Sequence, residues 1–213
     1  MALTARSDQV RELATAIVTA TIQDEDAVAL PAASIQAMLV TLYDVTTGTV
    51  INNRLRQSVL NANQVTVGTA GEFSWELRPA DTQLIGTPAV GEVEEHIAHL
   101  EWAYLGTEVS LTNAFGTTDT DATVTVTEAS HGLVVGDSVF ISGADDVGGL
   151  NVNGLRLVDT VPTSGTYTFE HPTVATATEA SGGGASVTVV KNAKIGRQNI
   201  AITVLQFEKV PGP

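Results

Sequence analysis

His131-Gly132-Leu133-Val134-Val135-Gly136-Asp137-Ser138-Val139-Phe140-Ile141 lies in a stretch, Ser110 to Val190, whose composition departs from its flanks. The same stretch holds Gly182-Gly183-Gly184 and carries nine carboxylates against one basic residue, Arg156. Both tryptophans and both methionines lie outside it. His-Gly-Leu leads into a tight turn, Gly136-Asp137 supplies the bend, and Val139 and Ile141 share a parity that points inward. A flexible linker has no use for such order, so the middle of the chain reads as a folded β module.

Working outward, Ala122–Thr127, Ser138–Ser142, Leu155–Val161, Thr166–Glu170 and Ser186–Val190 are strand candidates, punctuated by glycines from Gly132 to Gly165. Five short strands in about eighty residues suit a small barrel or sandwich. Thr173 to Gly184 has little to bury and reads as a mobile loop.

The flanks read as two halves of one β domain. Thr15–Ile22 is rich in β-branched residues, and Ile35–Tyr43 places Met38, Val40 and Leu42 on one parity. Asp44 to Thr49 reads as a turn, Val65–Val67 and Phe73–Leu77 as strands joined at Gly68–Gly71, and Pro79 as a stop. Glu92–Leu105 is the longest strand candidate, with Ala98, Leu100, Trp102 and Tyr104 toward a core and His99 and Glu101 on the other face. Asn199–Val210 alternates again through Ile200, Ile202 and Val204, and pairs with that strand across a hairpin whose loop the middle module replaces. No helix long enough for a crossover appears, which favours a sandwich over a parallel sheet.

The predicted fold is therefore all-β: an immunoglobulin-like β-sandwich over residues 15–109 and 191–213, with a small β-barrel or sandwich domain, 110–190, inserted in a late hairpin. Residues 1–14 form an N-terminal arm or a short helix capped by Ser7 and running through Val10 to Ala14. Excising residues 110–190 should leave a folded domain.

Hydrophobic residues make up 43% of the chain and charged residues 16%, which argues against general disorder. The net charge of −14 repels phosphate backbones and anionic lipid, so neither nucleic acid nor a membrane is an expected partner. The absence of cysteine removes disulfides and thiolate metal sites. Met1–Asp8 lacks the basic start and apolar core of a signal peptide, and no apolar run reaches the length of a membrane helix.

The ordered motifs carry a resemblance. His131-Gly132-Leu133, Gly136-Asp137, Val139, Ile141 and Gly143 are followed by Leu150-Asn151-Val152-Asn153-Gly154, Thr166-Tyr167-Thr168-Phe169 and the small-residue run to Gly184. Over roughly residues 120–190 this order resembles the small β module, named after a ubiquitin-activating-enzyme domain, that recurs in virion proteins of tailed bacteriophages. The shared name brings no activity, since the chain has neither a cysteine nucleophile nor a nucleotide loop. The flanks look like the immunoglobulin-like domains of phage neck, baseplate and capsid-decoration proteins, on the strands His96–Tyr104 and Arg197–Ile202, without the immunoglobulin cysteine pair.

Candidate chemistry is sparse. His96 and His99 with Glu101 would share a face on a helix, but on a strand the odd spacing separates the two histidines. His131 and His171 read as hydrogen-bonded structural residues. Asp119-Thr120-Asp121 and Asp145-Asp146 offer oxygen ligands without the full pattern of a calcium loop, and read as solvated turns. Trp75, Trp102 and Tyr104 read as core or interface anchors rather than a sugar platform. Ile51–Ser58, with Arg54 and Arg56, reads as an exposed loop or a contact for an acidic neighbour. No nucleophile elbow, phosphate loop or His-Glu-x-x-His is present. No catalytic, cofactor-binding or metal residue is nominated, and no cofactor is expected.

What the resemblance implies is a non-enzymatic virion component made in the host bacterial cytoplasm. It would dock on the neck at the head–tail junction, or on the capsid surface, and assemble as a symmetric homo-oligomer. Its partners would be portal, neck, tail or major capsid proteins, joined through strand edges or the terminal arms Met1–Ala14 and Glu208–Pro213. The alternative is a receptor- or glycan-binding module using Phe115, Phe140, Tyr167 or Phe169 if exposed. An enzyme such as a depolymerase ranks below both.

Overall fold

Alternating β-branched and apolar residues, interrupted by turn formers every few positions, leave the backbone no better way to satisfy its hydrogen bonds than strand pairing. The computed structural model describes residues 9–89 and 91–206, and it is all-β. Its chain divides into two compact units, residues 1–102 with 196–213, and residues 103–195.

In chain order the first unit begins with β1 (Val10–Arg11), β2 (Ala16–Thr21), β3 (Ile35–Asp44), β4 (Gln57–Ser58), β5 (Val65–Val67), β6 (Glu72–Leu77) and β7 (Val93–Tyr104). The second contributes β8 (Thr107–Leu111), β9 (Phe115–Thr117), β10 (Thr123–Thr127), β11 (Ser138–Ser142), β12 (Gly154–Leu157), β13 (Thr160–Thr163), β14 (Thr166–Glu170), β15 (Glu179–Gly182) and β16 (Val187–Lys191). The chain returns on β17 (Lys194–Leu205). Short 3-10 turns at Ala32–Ser34 and Pro79–Thr82 are the helical elements among the described residues.

Two sheets build the first unit, in the orders β1-β17-β7-β3-β4 and β2-β6-β5. Met38, Val40 and Leu42 of β3, Phe73, Trp75 and Leu77 of β6, Leu100 and Trp102 of β7, and Ile200, Ile202 and Val204 of β17 are all buried. β7 and β17 are neighbours, and the cross-strand contacts His99–Asn199 and Glu101–Arg197 run in opposite senses along them, as in an antiparallel pair.

The short helix expected from Ser7 through Ala14 is corrected at its described end. Val10 and Arg11 form a strand paired in parallel with Val204 and Leu205, and Glu12 N–H continues the pairing onto the Leu205 carbonyl. One helical turn would bear the cost of nucleation and bury little, whereas the sheet edge offers partners at once. Residues 1–8 and the terminal arm Glu208–Pro213 lie outside the described residues.

The second unit also has two sheets, β13-β14-β10-β9-β15 and β12-β11-β16-β8. Its core joins Phe115, Val124, Val126, Val139, Tyr167 and Phe169, among others. β8 pairs with β16 along its whole length, from Thr107 opposite Lys191 to Leu111 opposite Val187. Residues 107–109 and Lys191 thus pack with this unit and not with the sandwich of residues 15–109 and 191–213 that the sequence predicts.

Two further expectations change. Leu155–Val161 is not one strand: at Val158 and Asp159 the chain leaves β11, the partner of β12, and continues as β13 beside β14. Val158 N–H donates to the Asp137 carbonyl and Asp159 N–H to the Thr168 carbonyl, so the switch costs no backbone hydrogen bond. Nor is Thr173–Gly184 a bare loop. Ala175 is buried, its N–H donates to the Asp121 carbonyl, and β15 pairs with β9. Backbone pairing holds this segment although its one large apolar side chain, Val174, is exposed.

Candidate functional site

The residues that carry the phage-module resemblance hold turns. His131 is buried, accepts the Leu133 N–H at Nδ1 (3.0 Å), and donates from Nε2 to the Thr163 carbonyl (3.1 Å). Its ring meets Tyr167 edge-on at 5.2 Å. Asp137 closes the following turn by accepting the Val134 N–H. Gly143 has a positive φ, and a Cβ there would lie 2.5 Å from the Ser186 carbonyl oxygen. Asn153 imitates a strand, accepting from Ala144 N–H at 2.9 Å and donating to its carbonyl at 2.8 Å.

Arg156, the lone cation of the acidic stretch, is buried. It donates to the carbonyls of Asn151, Val152 and Asn153 and lies over the Phe169 ring at 5.5 Å. A single basic residue in an acidic, turn-rich segment was the available sign of this role. Just outside the stretch, Lys191 bridges Glu128 (2.6 Å) and the His131 carbonyl (2.9 Å). Burial and the nearby Glu128 charge push the Tyr167 hydroxyl well above its ordinary pKa.

The other nominated residues scatter. Asp119, Asp121, Asp145 and Asp146 are exposed, and Asp121 accepts the Thr123 N–H two residues on. His171 sits at the end of β14, bonded to Thr173 and the Asn151 carbonyl. Phe115, Phe140, Tyr167 and Phe169 are all fully buried, so none can stack on a ligand. Trp75, Trp102 and Tyr104 are buried too.

Ile51–Ser58 is corrected. Arg54 is 3% exposed and does not face solvent. Its Nη2 donates to Asp81 Oδ2 at 2.8 Å, its Nε to Asp81 Oδ1, and its Nη1 to Gln57 at 2.6 Å. The guanidinium also lies over Trp75, 5.0 Å from the ring centroid. Arg56 lies 4.0 Å from Glu101, which Arg197 also contacts at 2.9 Å.

On β7, His99 bonds Asn199 at 2.6 Å, while His96 points the opposite way into a second cluster. There His96 Nε2 meets Glu94 Oε1 at 2.7 Å, and Asp44 at the end of β3 completes a group of three. One donor atom from each lies within 4.8 Å of the other two. Glu94 also accepts the N–H groups of Ile85 (2.8 Å) and Gly86 (2.7 Å). Asp44 Oδ2 accepts the Thr47 N–H and hydroxyl, both at 2.6 Å. Burial opposes the charged form of both carboxyls, but these hydrogen bonds outweigh it and hold both pKa values below the ordinary range. The spacing Glu94-x-His96 on one strand face was legible; Asp44, fifty residues earlier, was not.

A different feature marks the surface. β2 is an edge strand, its sequence Ala-Ile-Val-Thr-Ala-Thr has no charge, proline or glycine, and Ile17 is 70% exposed. It borders a groove of about 510 Å³ whose lining includes Val10, Ala14, Val18 and Ile202.

Together these features define an all-β chain of two compact units, with a bare strand edge on one and a histidine-held turn before β11 on the other. No protein-family model and no curated protein matches the chain. Among solved structures it is similar to one titled "Phage phi92 endosialidase", at 19% identity and a TM-score of 0.37, over 53% of this chain. The match spans 19% of that chain.

Proposed function

We propose that this chain is a non-enzymatic structural component of a tailed-phage virion, docking on the neck or the capsid surface and assembling as a symmetric multimer. The observation that carries the reading is the β2 edge. An uncharged six-residue edge with an exposed isoleucine is the kind of edge that proteins ordinarily blunt with lysine, proline or a bulge. Left bare beside a groove, it suits pairing with a strand of a neighbouring copy or of another virion protein. The acidic surface keeps the free chain soluble until that edge is covered.

The sequence motif of residues 120–190 supports the same reading. Its characteristic residues, His131, Asp137, Gly143 and Asn153, maintain turns and pairings, as suits a module kept for its shape. Immunoglobulin-like architecture for the outer unit, with its two sheets, belongs to this proposal as well. The glycan-binding alternative loses its four nominated aromatics to the core.

Two measurements test the proposal. Mass spectrometry of purified virions should find the chain among the structural proteins, at a copy number that fits a ring or shell. Light scattering should show that Ile17→Lys with Thr19→Lys weakens self-association or particle binding while the far-ultraviolet circular dichroism is unchanged. A chain missing from the particles would overturn the virion reading, and unaltered assembly by the double variant would overturn the role of β2.

A further inference from the structure

We infer, on the reading of β2 given above, that its partner is a second copy of this chain: β2 pairs with β2 in antiparallel fashion about a two-fold axis at Thr19. The hydrogen bonds inside the sheet decide what the edge offers. Ile22 N–H donates to the Gly71 carbonyl at 2.9 Å, one step beyond the Thr21–Glu72 pair. In an antiparallel ladder the N–H and C=O of one residue point the same way, and neighbours alternate. Ala16, Val18 and Ala20 therefore turn theirs toward β6. The far side of β6 agrees: Glu76 N–H donates to the Gln64 carbonyl (3.0 Å), and the Glu72 carbonyl accepts the Gly68 N–H (2.8 Å). Glu76 and Glu72, opposite Ile17 and Thr21, thus bond away from β2. Ile17, Thr19 and Thr21 direct their N–H and C=O groups outward, where no strand lies among the described residues.

That spacing is complementary to itself. With Thr19 set opposite Thr19 of the second copy, Ile17 meets its Thr21, and each outward residue gives and accepts one hydrogen bond. On the exposed face the two threonines form a favourable cross-strand pair. On the inner face Val18 stands opposite Ala20 of the second copy, at the groove of about 510 Å³ that Val18 lines with Val10 and Ile202.

Charge favours a second copy over a foreign strand. At −14 per chain, two copies repel over most of their surface, but residues 13–23 hold no charged side chain. A basic partner gains nothing from an uncharged strip, whereas a partner of the same sign needs one. An isologous contact also requires no second surface. The other edge strands suit it less. β1, β4 and β5 are two or three residues long, β8 carries Glu108, β12 Arg156 and β13 Pro162, and β15 shifts register against β9.

The experiment uses the full chain, which has no cysteine, so Thr19→Cys supplies its one thiol. Facing residues stand about 5.5 Å apart at Cα, within disulfide reach. Oxidation should give a covalent dimer, and Thr66→Cys, exposed on β5 at the other edge of the sheet, should not. In the wild type, the Val18 and Ala20 amides should resist hydrogen exchange at every concentration. Those of Ile17, Thr19 and Thr21 should gain protection as the light-scattering mass doubles. Thr19→Lys and Thr19→Glu should each stay monomeric, and their equal mixture should dimerise, because the two-fold register sets residue 19 against itself. A wild type that is monomeric throughout, a dimer whose Ile17, Thr19 and Thr21 amides stay open, or a mixture that does not recover overturns the pairing. Virion mass spectrometry separates the two readings: a monomer found in particles overturns homotypic pairing alone, and a β2 dimer missing from particles overturns the virion reading alone.

Discussion

Arg54 grips Asp81 through two guanidinium nitrogens in the interior of the first unit, with Asn52 donating to the same carboxylate at 2.8 Å and the Arg78 N–H at 2.9 Å. A buried pair of this kind is a weak source of net stability, because desolvating both ions offsets their attraction. Breaking it is another matter. Arg54→Met strands a carboxylate in the core and Asp81→Leu strands a guanidinium, and each should cost about 3–5 kcal/mol. Arg54→Met with Asp81→Leu should recover much of that loss. Urea unfolding of the four proteins checks the cycle, and additive single losses would remove the pairing argument.

The same carboxylate fixes a pH dependence. Burial alone would raise the pKa of Asp81, but hydrogen bonds from Arg54, Asn52 and the Arg78 backbone outweigh burial and leave it lowered. A folded value below the unfolded one, about 3.9, means the stabilisation is fully present above that value. It is lost as pH falls through the folded value, because protonation then favours the unfolded chain. Thermal melts from pH 6 to pH 2 should show a steeper acid limb for the wild type than for Asp81→Asn, and equal limbs would refute the assignment.

Gly183 and Gly132 separate shape from backbone conformation in the second unit. Both have positive φ, +96° and +68°, but a Cβ on Gly183 would lie 2.5 Å from the Phe115 ring whereas one on Gly132 meets nothing within 4 Å. Gly132→Ala should cost on the order of 1 kcal/mol, the conformational penalty alone. Gly183→Ala should cost about 1–3 kcal/mol more, because fully buried Phe115 cannot yield without repacking. Equal midpoints for the two variants in urea would show that the ring gives way freely.

His131→Phe keeps a ring against Tyr167 but removes both hydrogen bonds. The Leu133 N–H and the Thr163 carbonyl would lose their partners, at about 1–3 kcal/mol for each group left buried. Amide exchange at Leu133 should accelerate well beyond the change in global stability. Unchanged protection there would mean that water replaces the imidazole.

What could be read from the chain, and what could not, follows the range of each interaction. The alternation of Ala98, Leu100, Trp102 and Tyr104 is local, and β7 lies where that alternation places it. The paired glycines and Asp137 likewise mark the turn before β11. Arg54 misleads because a basic residue among asparagines reads as solvated, and its partner Asp81 is twenty-seven positions away. β15 misleads differently: Glu179-Ala180-Ser181-Gly182 has almost nothing to bury, and its order comes from backbone pairing with β9. Asp44 could be read as a turn former, which it is, but its approach to His96 depends on β3 lying beside β7 in the sheet.

The strand pairing also decides where the chain can be cut. Removing 110–190 would leave Glu108 and Val109 without Val190 and Val189, their partners on β16. Gly106 is tied to the same unit, since a Cβ there would meet Val190 at 2.5 Å and the Lys191 carbonyl at 2.8 Å. A better excision removes residues 106–192 and joins the ends of β7 and β17 through a short glycine-containing turn, leaving both strands whole. Loop length changes stability only logarithmically, so replacing a long excursion by a short turn costs little if the outer unit holds its own core. That core includes Trp75 and Trp102, both fully buried. The shortened chain should therefore melt cooperatively and keep the blue-shifted fluorescence of two buried indoles. A chain that gives no cooperative transition and red-shifted emission would mean that the first unit depends on the second for its fold.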